Sequence, residues 1–135
     1  MSENTDYTQR ARELFGKDRY GTDLTGIYLE EARKNYARCT LEIEDKHLNI
    51  NDYVMGGVIC TLIDYTFGVA SNAEENNTIT LSAAINYVTS TKGPKLFCEA
   101  TCTKDGRKIC FYNVVLTDSS GKTVATAEVN GYKTK

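Results

Sequence analysis

The sequence predicts an α+β domain in which a curved antiparallel sheet wraps a central, buried helix. Three observations predict it. One long segment, residues 58–72, carries apolar side chains nearly all round, as a helix covered on most sides does. Six other segments read as strands, and the clearest of them alternate apolar and polar residues. The links between strands are short and rich in turn residues, which favours antiparallel neighbours.

The elements follow in order. Tyr7, Ala11, Leu14 and Phe15 allow a short amphipathic helix over residues 7–15, ended by Gly16. Ile27 to Arg33 reads as a first strand and Lys34-Asn35 as a turn. Tyr36 to Glu44 alternates cleanly: Ala37, Cys39, Leu41 and Ile43 point one way, and Arg38, Thr40, Glu42 and Glu44 the other. That is a half-buried antiparallel strand. A polar loop, His47 to Asp52, leads to Gly56-Gly57 and the helix from Val58 to Asn72, which Glu74-Glu75-Asn76-Asn77 stops. Strands are then expected over Thr78–Thr89, Leu96–Lys104, Lys108–Thr117 and Thr123–Lys133 as a meander. Asp105-Gly106 is a two-residue hairpin signal, and Ser119-Ser120-Gly121 a second turn.

Composition narrows the function classes. At 135 residues the chain suits one domain with its own core. A net charge of -2, with no basic block, argues against nucleic acid as a partner. No segment offers the ~20 predominantly apolar residues of a membrane span, and the N-terminus lacks a signal-peptide core, so a cytoplasmic, soluble protein is expected. Five cysteines without a CxxC fit reduced, buried core thiols. Cys98 and Cys102, ~13 Å apart along a strand, are too distant to share one zinc ion, and no metal site is expected. The single histidine excludes two-histidine zinc motifs.

Asp64 stands out among the candidate site residues. It lies mid-helix among apolar residues with no Lys or Arg at i±3 or i±4. Either it occupies the one exposed stripe or caps a loop, or it is a general base or nucleophile. Gly56 and Gly57 precede the helix, where free N–H groups and the positive dipole end can stabilise an oxyanion. They also fit an ordinary turn. Gly56 and Asp64 are ~12 Å apart along the helix, too far to serve one carbonyl within one chain. A functional reading therefore requires a second chain to supply half the site. Asn49 and Asn51 lie in the preceding loop, where Asn is common. In the following strand, alternation puts Thr80, Ser82 and Asn86 on one face and Ile79, Leu81, Ile85 and Tyr87 on the other. The polar face meets either a site or water. His47 is expected to hold a loop rather than to catalyse.

Taken together, His47-Leu48-Asn49, Met55-Gly56-Gly57 and Leu62-Ile63-Asp64 resemble the hotdog-fold PaaI-like acyl-CoA thioesterases. That family reads H-x-N, a short loop, H-G-G and then L-x-D, and the spacings here match without gaps. The resemblance covers residues 25–133 and implies a hotdog domain over residues 25–135 behind an N-terminal segment, residues 1–24. It implies an acyl-CoA substrate, no cofactor, and a homodimer or dimer-of-dimers tetramer with sites between protomers. By the same resemblance Asp64 is the nucleophile or general base, and Gly56 of a second copy polarises the thioester carbonyl. Asn49 and Thr80 position the water or the thioester, and Met55, Gly57, Ser82 and Tyr87 line the substrate. Two positions depart from the family: Met55 replaces the first residue of H-G-G, and Asp52 replaces a loop glycine. A thioether donates no hydrogen bond, but the backbone donors do not depend on that side chain. Lys92, Lys95, Lys104, Arg107 and Lys108 either meet the phosphates of coenzyme A or are simply solvated. A non-catalytic acyl-CoA binder is the alternative. A hydratase on the same fold is disfavoured by the lack of a histidine in the helix.

Overall fold

In the computed structural model, which describes residues 5–135, helix α2 (Gly56–Asn72) runs along the concave face of one six-stranded antiparallel sheet. Residues 1–4 of the N-terminal segment lie outside the described residues. The strands are β1 (Tyr28–Arg33), β2 (Tyr36–Glu42), β3 (Thr78–Tyr87), β4 (Lys95–Asp105), β5 (Ile109–Asp118) and β6 (Thr123–Lys133). A short helix α1 (Thr8–Phe15) precedes them. Among the described residues no helix is long and apolar enough to cross a membrane.

The alternation read from the sequence is what buries the core. Ala37, Cys39 and Leu41 of β2 face α2, as do Leu96, Cys98 and Ala100 of β4 and Tyr112, Val114 and Leu116 of β5. From the helix come Leu62, Ile63, Phe67 and Val69, each at most 1% exposed. Phe67 meets Tyr112 edge to face at 5.1 Å, a preferred aromatic geometry. Close approach of β6 to the helix requires Gly131. A Cβ there would stand 2.6 Å from Thr78 and 2.8 Å from both Cys110 and Phe67. Cys39 and Cys98 are register partners across β2 and β4, and burial raises both thiols, Cys39 to about 12. They remain neutral core groups.

Four sequence expectations are corrected. The strand order is β1-β2-β4-β5-β6-β3, so β3 pairs with β6 and not with β4. Residues 88–94 cross the end of the sheet, and a link of that length does not force neighbouring strands. The β4–β5 loop is Gly106 to Lys108, with Asp105 inside β4, where its carboxylate takes Lys133 and the Asn35 amide. The helix begins at Gly56, two residues earlier than expected. Its surface is also not apolar all round: Gly57, Cys60 and Asp64 form an open stripe, with Thr61 and Gly68 half-buried beside them. Cys60 is accordingly exposed, unlike the buried Cys39, Cys98 and Cys110.

The β5–β6 turn is held by Asp118, itself buried. Its carboxylate accepts from the Ser120 hydroxyl (2.6 Å) and N–H (3.0 Å), the Thr91 hydroxyl (2.8 Å) and the Lys122 N–H (3.3 Å). These bonds, led by the Ser120 hydroxyl, lower its pKa from 3.8 to about 2. The folded state thus favours the ionised form. The stabilisation is complete above the ordinary value and is lost as pH falls through about 2. Urea unfolding at pH about 5 and about 2.5 is expected to show acid destabilisation that Asp118→Asn reduces, the remainder coming from other carboxylates such as Asp105, which is also held below its ordinary value.

Candidate functional site

The site is built where α2 lies against β3. Asn72, at the end of the helix, fixes the height of the strand. Its amide N–H groups donate to Gly68 O (2.9 Å) and Thr78 O (3.0 Å), and its oxygen accepts from the N–H groups of Asn77 (2.9 Å) and Thr78 (2.7 Å). Two residues on, the Thr80 hydroxyl donates to the Asp64 carboxylate at 3.1 Å. Asp64 is exposed. It lies on the open stripe, the alternative the sequence also allowed.

A β-bulge explains the fate of the next polar residue. The β3–β6 register shifts between Thr80 and Ser82. One extra residue reverses the alternation, so Thr80 and Ser82 no longer share a face. Ser82 instead accepts from the Asn130 amide (3.2 Å) on the outer side of the sheet. Beyond the bulge Ala83, Ile85 and Tyr87 turn toward the helix. The sequence expectation that placed Thr80, Ser82 and Asn86 together is therefore corrected, and Ser82 is not brought to Asp64. Tyr87 reaches the other end of the stripe. Its hydroxyl donates to Gly56 O at 3.4 Å, and its ring lies beside the Gly56 α-carbon.

At that end the helix is open to a ligand. Met55 caps α2 with its carbonyl, accepting from Val58 N (3.0 Å) and Ile59 N (3.3 Å). The N–H groups of Gly56 and Gly57 have no acceptor among the described residues. They point outward at the positive end of the helix dipole, where an anion or oxyanion is stabilised. Nothing lies within 4 Å of where a Gly57 Cβ would be, and the Met55 side chain is 55% exposed.

The loop before the helix is held by its own polar groups. Asn49 Oδ1 accepts from Asn51 N (2.9 Å) and Tyr53 N (3.1 Å), so the Asn49 oxygen shapes the loop and only its NH₂ group stays available. His47 is buried with both ring nitrogens engaged. Nδ1 accepts from Glu44 N (2.9 Å), and Nε2 donates to Thr25 O (2.7 Å). This neutral tautomer is a clamp between two loops, as expected, and carries no proton to a substrate. Among the described residues no group of three His, Cys, Asp or Glu side chains is arranged to hold a metal ion.

Two cavities meet at Asp64. One is a wide cleft of about 790 Å³ toward the N-terminal segment, reaching Lys17 and Arg19. The other is a smaller pocket of about 250 Å³ lined mainly by Cys60, Ile63, Ala83, Ile85 and Val129. Tyr20 borders both. Sequence reasoning missed it, because residues 17–26 show neither period. The only available signal was an aromatic residue beside Gly21 in an otherwise polar run. Of the basic candidates, Lys92 lies over the Tyr53 ring near the glycine end, at 5.1 Å, and Lys95 over Phe97, at 5.5 Å. Lys104, Arg107 and Lys108 cluster at the β4–β5 hairpin, whose Lys108 carbonyl accepts from Lys133 N next to the start of β3.

Known proteins share this fold. Residues 51–125 match the thioesterase superfamily. An esterase-named protein of Archaeoglobus fulgidus is 26% identical over 126 residues, covering 93% of this chain and 82% of that protein. The Escherichia coli PaaI protein, from the phenylacetic acid degradation operon, superposes with a TM-score of 0.85 at 17% identity, over 94% of this chain and 93% of that one. A Streptococcus mutans protein solved bound to acetyl CoA is 30% identical, with a TM-score of 0.74, over 80% and 88%. A hypothetical thioesterase of Streptococcus pneumoniae, solved with coenzyme A, is 24% identical with a TM-score of 0.83, over 91% and 96%. With the sequence match spanning the glycine pair, the helix and strands β3 to β5, the chain belongs to the thioesterase superfamily and takes the hotdog fold of PaaI.

Proposed function

We propose that the protein is an acyl-CoA thioesterase that hydrolyses a thioester to a free acid and coenzyme A, at sites shared between two copies of the chain. The observation that carries this reading is the separation of two half-sites on one open face. The Asp64–Thr80 pair lies two helical turns, ~12 Å, from the unpaired Gly56 and Gly57 N–H groups. A dyad that runs the partner's α2 antiparallel brings the partner's Gly56 to Asp64, and the reverse at the second site. The edge strand β3 supports the same arrangement. It has no neighbour on its outer side among the described residues, and Ile79 and Leu81 are each 57% exposed. An uncovered apolar edge of ten residues is a ready template for a second strand.

In this reading the thioester carbonyl oxygen accepts from the partner's Gly56 N–H. Asp64 either takes a proton from water as that water attacks, or attacks the carbonyl carbon itself. The Thr80 hydroxyl orients the Asp64 carboxylate, and the partner's Asn49 NH₂ group, which sits in the loop before the partner's Gly56, positions the thioester. The carbonyl electrons move to the oxyanion, collapse back, and expel the thiolate of coenzyme A, which takes up a proton. Where water attacks, this gives the free acid directly; where Asp64 attacks, it leaves an acyl–Asp64 anhydride that a water then hydrolyses to the free acid and the restored carboxylate. Two streptococcal relatives hold acetyl CoA or coenzyme A, which supports this substrate class. Lys17, in the wide cleft, suits its phosphates, whereas Arg19 beside it is paired with Asp23 at 2.6 Å.

Met55 favours one second reading, a protein that binds acyl-CoA and hydrolyses it slowly. Release of coenzyme A from short-chain, aryl and long-chain acyl-CoAs distinguishes them. Turnover supports the thioesterase; binding without turnover supports the second reading. Met55→His adds a donor beside the thioester and is expected to raise kcat/KM about 10-fold or more if the missing imidazole limits the reaction. An unchanged rate would show that Met55 is a bystander.

A further inference from the structure

Tyr20 is held in a manner unlike the rest of the surface. It begins a π-helical turn, Tyr20–Thr25, whose backbone is pinned on all sides. Its carbonyl accepts from the Thr25 hydroxyl (2.9 Å), and Gly21 N donates to Asp18 O (3.0 Å). Gly21 O takes the N–H groups of Gly26 (3.0 Å) and Ile27 (2.9 Å). The far end of the turn is tied to the site loop by the bond from His47 to Thr25. Gly21 lies flat against the Tyr65 ring, where a Cβ would come within 2.7 Å. The Tyr20 ring is nonetheless 67% exposed. A rigid backbone thus presents a large aromatic residue away from the core, and with Thr61 it lines both of the cavities that meet at Asp64.

The cavities differ in chemistry. Ile63, Ala83, Ile85 and Val129 give the small pocket apolar walls, whereas the wide cleft opens among Lys17, Asp18 and Arg19. A thioester whose carbonyl lies at Asp64 sends its acyl group into the first and its charged carrier into the second, since the reverse would bury phosphates among aliphatic side chains. Resting on the thioesterase reading above, we infer that Tyr20 is the residue that sets acyl-group size. Its ring closes the apolar pocket on the side of the cleft and limits the acyl group to a short chain or a single ring. Without it the two cavities merge.

The test is a series of saturated acyl-CoAs from acetyl to palmitoyl, with kcat and KM measured for wild type, Tyr20→Ala and Tyr20→Phe. Wild type is expected to favour the short end. Tyr20→Ala is expected to raise the palmitoyl-to-acetyl ratio of kcat/KM about 10-fold or more, largely through KM. Tyr20→Phe keeps the ring and is expected to keep the wild-type ratio. An unshifted ratio in Tyr20→Ala, with its melting temperature unchanged, overturns the inference and leaves the thioesterase reading standing. If wild type hydrolyses none of the series, that reading falls, and the ratio is read from affinities for the matching S-alkyl-CoA thioethers. There too, a Tyr20→Ala profile equal to wild type overturns the role of Tyr20.

Discussion

Asp64→Asn is expected to lower kcat/KM for acyl-CoA hydrolysis by about 10²–10⁴-fold with the fold intact. The substitution is nearly isosteric, and the amide oxygen still accepts from the Thr80 hydroxyl, now 3.1 Å from the carboxylate. What disappears is the basic or nucleophilic oxygen. Because Asp64 is exposed and bonded to a neutral hydroxyl, its loss changes stability by no more than about 0.5 kcal/mol. Steady-state kinetics and thermal unfolding on the same preparation check both halves. Equal losses in kcat and kcat/KM would place the contribution in the transition state. A variant with wild-type turnover would remove Asp64 from the chemistry.

Gly56→Pro deletes the oxyanion donor itself, and the local backbone permits it. Gly56 is the first residue of α2, the helical position where proline is best tolerated, and its N–H bonds to nothing among the described residues. Met55 already has φ -67° and ψ 140°, the extended conformation that a residue before proline adopts. The Cβ meets the Tyr87 ring at 3.5 Å, an ordinary contact. The expected result is a loss in kcat of about 10²–10³-fold with an unchanged melting temperature. Gly56→Ala adds the same Cβ but keeps the N–H, and is expected to be at least about 10-fold more active than the proline variant. Equal losses in the two would assign the effect to crowding and not to the lost donor.

The sheet was legible wherever alternation met burial. Ala37, Cys39 and Leu41 announce the inner face of β2, and the Gly56-Gly57 pair marks the helix start to within two residues. The place of β3 was not legible. Strand order depends on which edge the 88–94 crossing reaches, and that is decided by packing against β6. The bulge between Thr80 and Ser82 left no trace in residue type, because any residue fits its extra position, yet it decides which hydroxyl meets Asp64. Asp64 was legible as unusual, and its surroundings were misread. Its helix was read as apolar nearly all round, whereas in space Gly57, Cys60 and Asp64 form an open stripe with Gly68 half-buried beside it. Tyr20 was invisible because its importance comes from a clamped turn and two cavities, neither of which has a sequence period.

The central claim is that each site takes its catalytic carboxylate from one copy and its oxyanion donor from the other. It is tested most directly by mixing two dead variants. Asp64→Asn and Gly56→Pro are unfolded together and refolded, so that mixed dimers form at random. Half the dimers are then mixed, and each has one intact site and one doubly damaged site. The expected activity is about one quarter of wild type, far above either variant alone. Activity that stays at the level of the separate variants, in a preparation shown to contain mixed dimers, would contradict the shared site.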